Sequence, residues 1–158
     1  MRALIVEGSE AKRVLLEKML APHCIVESAR DAEEGVRRFV ASYQSDDPFA
    51  IVCTAVALPG MGGTDLVKKI RRLEKYWPEE KISPRTVFCV FHDRVGEGER
   101  IGFEFLGDQF IFHNQTPCDK VGLLSAIGFS RGVWSSFRTL SARAAASASG
   151  QAEVRWWQ

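Results

Sequence analysis

FAIVCTAVALPGMGGTD, residues 49–65, reads as a strand, a sharp turn and the start of a helix. Residues 49–54 form a continuous apolar run without alternation, which suits a strand covered on both faces of a parallel sheet. The turn that follows stops the strand. Pro59 fixes its own φ, and Gly60, Gly62 and Gly63 let the chain reverse sharply. Thr64 reads as the N-cap of the next helix, with Asp65 as an acid in its first turn.

Outward from this centre the pattern repeats. Residues 3–6 are a short apolar strand, and Ser9 caps a helix with Ala11, Leu15, Leu16, Met19 and Leu20 on one stripe. Pro22 ends that helix, residues 24–27 give a second strand, and Asp31 opens a helix with Ala32, Val36, Phe39, Val40 and Tyr43 inward. After the central strand, Leu66, Ile70, Leu73 and Trp77 mark a third helix, whose Lys68, Lys69, Arg71 and Arg72 face solvent. Residues 86–91 read as a fourth strand, followed by a weaker helix ending near Leu106. Residues 109–112 read as a fifth strand, and residues 118–129 as a last helix with Val121, Leu124 and Ile127 inward. Five strands alternating with five helices predict a three-layer, doubly wound α/β fold with a parallel sheet in the order 2-1-3-4-5. Ligands in such folds sit at the carboxyl ends of the strands.

The 158 residues, 46% of them hydrophobic, suit one domain with a substantial core. A net charge of +1 gives no global attraction to nucleic acid, and no DNA-binding helix pair is read. The opening apolar run is short and Glu7 interrupts it, so neither a signal peptide nor a membrane span is expected, and the expected location is the cytoplasm. Cys24, Cys53, Cys89 and Cys118 form no CxxC pair and read as reduced, mostly buried thiols.

A hydrophobic strand running into the turn Leu58-Pro59-Gly60-Met61-Gly62-Gly63 resembles the response-regulator receiver domains of the CheY-like kind. The resemblance covers residues 1–129. It implies a phosphoacceptor aspartate four residues before the proline, an acidic pair after the first strand for Mg²⁺, a hydroxyl after the fourth strand and a lysine after the fifth. In this chain those positions carry Ala55, Glu7 with Gly8, Phe91, and His113 beside Asn114. Ala55 has no oxygen to phosphorylate, and Thr54 points the other way along the strand. One Glu without Ala55's missing carboxylate makes a poor hard-ion site, so neither magnesium nor another cofactor is expected. The chain therefore resembles a degenerate pseudo-receiver: a non-enzymatic, phosphorylation-independent adaptor of two-component phosphorelay signalling, with a histidine kinase or another regulator as protein partner.

In that family the fourth helix, fifth strand and fifth helix form the partner surface, and dimerisation through it is one expectation. Phe103 and Phe110 are the candidate contacts here, with core packing as the alternative for each. A second reading rebuilds the old pocket as a small-molecule or transition-metal sensor using Glu7, His92 and His113 at the carboxyl edge. Residues 130–158 break the pattern into an Ala/Ser/Arg-rich tail ending in Trp156-Trp157, read as flexible or partly helical. The two tryptophans suit a partner groove, a membrane interface or a fold-back onto the domain.

Overall fold

A computed structural model describes residues 1–78, 83–94, 96, 100–101, 104–115 and 120–155. Its elements are β1 (Arg2–Val6), α1 (Glu10–Leu20), β2 (Ile25–Ala29), α2 (Ala32–Gln44), β3 (Ile51–Ala55), α3 (Gly63–Tyr76), β4 (Val87–His92), β5 (Ile111–Gln115) and a C-terminal helix (Lys120–Arg155). All five strands are parallel, in the order β2-β1-β3-β4-β5. This is the fold class the sequence predicts. Of the expected fourth helix, Arg100, Ile101 and Glu104 are helical.

Alternation along each strand divides the core in two. On one face Leu4, Val6, Val52, Phe88 and Val90 pack against Ala32, Phe39 and Tyr43 of α2 and Leu66, Val67 and Ile70 of α3. On the other, Ala3, Ile5, Ile51, Cys53, Val87, Cys89 and Phe91 pack against Leu16 and Leu20 of α1 and Leu123, Ala126 and Ile127 of the C-terminal helix. β1, β3 and β4 are covered on both sides, which is why they read as uninterrupted apolar runs.

Caps fix two of the helix starts. Ser9 accepts from Lys12 N at 3.4 Å and Asp31 from Glu34 N at 2.8 Å, each satisfying an amide that has no partner in the first turn. The expected Thr64 cap is corrected: Gly62 is the N-cap of α3, with no side-chain cap, and Asp65 lies in the first turn. The reason is contact. Gly63 N donates to Val56 O at 2.9 Å, and a Cβ on Gly63 would fall 1.9 Å from the carbonyl oxygen of Ala55, so α3 starts on the one residue that can lie against the end of β3.

Two inward stripes shift phase. Leu15 is half exposed while Leu16 and Leu20 are buried. In the C-terminal helix Val121 and Leu124 face outward, and Leu123, Ala126, Ile127 and Ser130 go in. Small Ala126 lets the helix approach, and the fully buried Ser130 donates its Oγ proton to Ala50 O at 3.1 Å. That bond lies beyond Phe129, where the sequence reading ended the helix; the helix passes position 130 without a break. β5 is also shifted, covering Ile111–Gln115. As the edge strand of the sheet it tolerates His113 and Gln115 as exposed side chains, which made its second half read as loop.

Candidate functional site

The carboxyl edge of the sheet carries one row of residues across four strands. Val6 pairs with Thr54, so Glu7 comes level with Ala55; Ala55 pairs with Phe91, and Phe91 with Asn114. Ala55, Phe91 and Asn114 follow Cys53, Cys89 and Phe112 at two-residue spacing, and all therefore lie on the face of α1 and the C-terminal helix. Ala55 and Phe91 are buried.

Each member of the row is engaged by its surroundings. Glu7 is buried, and its carboxylate accepts from Ser9 N at 3.0 Å, ahead of α1. The Glu7 carbonyl accepts from Arg13 Nη1 at 2.9 Å. Gly8 lies against the turn after β3: a Cβ there would meet Pro59 Cδ at 3.3 Å and Arg30 O at 3.6 Å. A side chain at position 8 thus competes with the Pro59 ring. The Ala55 carbonyl accepts from Thr54 Oγ1 at 3.0 Å and lies beneath Gly63. Phe91 is 6% exposed, and its carbonyl accepts from Val56 N at 2.8 Å, tying the turn down over the edge. Asn114, also buried, donates from Nδ2 to Cys89 Sγ at 2.8 Å.

His113 is not in this row. Its register partner is Val90, one level back from the edge and on the opposite face. Asn114 takes the position beside Phe91 that the sequence reading gave to His113. His92 shares the face of Val90, so the two imidazoles are diagonal neighbours on β4 and β5. Partial burial, then the nearby His92, holds the His113 pKa below its ordinary value. Glu7 lies on the other face, so the expected Glu7-His92-His113 set is split by the sheet. Among the described residues no group of three or more His, Cys, Asp or Glu side chains is placed to hold a metal ion.

Phe110 precedes β5 at its amino end, four residues and so about 13 Å from Asn114 at strand rise. It is half-buried, with its ring edge-on to Phe129 at 5.2 Å and the Arg85 guanidinium 5.9 Å from its centroid. Packing against the C-terminal helix is what it does in this structure. Phe103, Trp156 and Trp157 lie outside the described residues. Among the described residues no helix is long and apolar enough to cross a membrane. The sequence reading missed the roles of Asn114, Pro59 and Gly63; only the Gly-rich spelling of the turn signalled the last.

Neither a family model nor a curated protein matches the chain. Solved structures do. A response-regulator receiver domain protein from Clostridium thermocellum aligns with a TM-score of 0.66 at 15% identity, over 82% of this chain and 92% of that one. The Vibrio cholerae chemotaxis protein CheY4 aligns with a TM-score of 0.61 at 20% identity, over 82% and 97%. The receiver domain of Saccharomyces cerevisiae Ssk1, solved with the histidine phosphotransfer protein Ypd1, aligns with a TM-score of 0.62 at 16% identity, over 80% and 86%. At these identities the likeness is one of architecture: the chain has the fold of response-regulator receiver domains.

Proposed function

We propose that this chain is a pseudo-receiver, a non-enzymatic adaptor of two-component signalling that acts in the cytoplasm through protein contact with a histidine kinase or another regulator and without phosphorylation. One observation carries the reading: the position in register with Phe91 and level with Glu7, where a receiver needs its acceptor carboxylate, is the methyl group of Ala55. Its surroundings support the same reading. Pro59 sits against Gly8, where the second acid of a cation site would project, Phe91 replaces a hydroxyl with a buried ring, and Glu7 is committed to Ser9 N. A phosphoryl group and its divalent ion need several convergent oxygens and a cation; this row offers one carboxylate and one amide.

The sensor alternative has less to draw on, because Glu7 and the two imidazoles face opposite sides of the sheet. The test is incubation with Mg²⁺ and acetyl phosphate followed by intact-mass measurement, with binding to the candidate kinase measured before and after. The expected result is no phosphate adduct and unchanged binding. An adduct on the native chain overturns the reading.

A further inference from the structure

The C-terminal helix has 36 residues, about 54 Å at 1.5 Å per residue. Leu123, Ala126, Ile127 and Ser130 hold its first turns against the sheet, whereas every residue from 138 to 148 is exposed. A solvated overhang of this kind is marginal as an isolated helix and gains its stability from a packed face. A face is present. Where the overhang begins, an open groove of about 590 Å³ is walled by Pro84, Phe129, Val133, Phe137 and Leu140. Val133, Phe137, Leu140, Ala144 and Ser147 continue along one seam at alternating four- and three-residue steps. Arg131 and Arg138 lie off it.

The seam changes size halfway. Its proximal half is bulky; from 141 the chain reads SARAAASASGQA. We propose that the groove is filled by the same helix of a second copy, running antiparallel, in a closed two-fold dimer. In a parallel pair Phe137 would face Phe137 and Ala144 would face Ala144, prising the helices apart at one end. The antiparallel pair sets Leu140 against Ala144 and Phe137 against Ser147, bulky into small, so both helices keep one spacing along their length. Such an interface uses one patch twice and closes on itself.

The inference is independent of the signalling reading, and its test uses the full chain. Sedimentation equilibrium across the micromolar range should give twice the chain mass. Leu140→Asp, at a position 64% exposed and so neutral to the domain's own folding, should weaken the dimer roughly 100-fold by burying a charge at two symmetric places. Orientation is read by oxidative cross-linking with diamide, the unsubstituted chain serving as control. Phe137→Cys chains mixed with Ser147→Cys chains should cross-link, but Val133→Cys chains alone should not, because their two thiols would lie on the order of 27 Å apart. A monomer at all concentrations, a dimer indifferent to Leu140→Asp, or self-cross-linking of Val133→Cys overturns the proposal.

Discussion

Gly63 shows how a single position can set the geometry of the edge. A methyl group there would lie 1.9 Å from the Ala55 carbonyl oxygen, with backbone on both sides of the clash, so nothing flexible is available to give way. Gly63→Ala should cost about 3 kcal/mol or more in urea unfolding. Gly128, in the C-terminal helix with open space around it, is the opposite case. Gly128→Ala should stabilise by about 0.5–1 kcal/mol, the usual helix-interior difference. At the other end of the sheet, burial pulls the Asp108 carboxyl up, but the Arg71 hydrogen bond and charge, Phe110 N and Arg85 together hold it below its ordinary pKa. Arg71 Nε lies 2.9 Å from it and Arg85 Nη2 lies 2.7 Å away. A depressed folded-state pKa means stability that is present above the ordinary carboxylate range and lost as pH falls through the folded value. Asp108→Asn should therefore cost about 2 kcal/mol at neutral pH, and the gap to the native chain should close as pH falls out of the ordinary carboxylate range and through the depressed folded-state value. Chemical denaturation at neutral and at acid pH checks both halves.

Elements were legible where periodicity had one solution. The apolar runs of β1, β3 and β4 marked three of the five strands and their burial on two faces, and Ser9 and Asp31 marked their helix starts through their caps. The C-terminal helix had two solutions, because Val121, Leu124 and Leu123, Ile127 all supply apolar residues near helical spacing. What separates them is tertiary: the small Ala126 and the Ser130 bond to Ala50 O, neither visible in a hydrophobic pattern. Leu123→Ala, at a fully buried position, should cost about 2–5 kcal/mol, while Val121→Ala, at one 72% exposed, should stay within about 0.5 kcal/mol. The same cause hid the edge-strand identity of His113 and Asn114. Polar residues in a strand that lacks a neighbour on one side look like loop until the sheet order is known.

At the scale of the molecule, the carboxyl edge is one row shared by four strands, so a substitution at one position leaves the other members of the row as they are. That the position four residues before Pro59 is an alanine was legible from the turn motif alone; the packing around Ala55 was not. Ala55→Asp places a carboxyl group at a position 9% exposed, level with Glu7 and beside the Phe91 ring. Burial and a second acid both raise such a pKa. A raised folded-state value for an acid means that the cost is absent below the unfolded pKa and grows as pH climbs through the folded one. The variant should match the native chain near about pH 3.5 and be less stable by about 1–3 kcal/mol at pH 7. In a working acidic site a divalent ion would remove that deficit by binding between the carboxylates. Here Gly8 supplies no second ligand and Pro59 occupies its approach, so excess Mg²⁺ should leave the melting temperature of Ala55→Asp where it was. A magnesium-dependent recovery would mean that the row still forms a cation site once the acceptor is returned, and the adaptor reading would then have to give way to a receiver that has lost one residue.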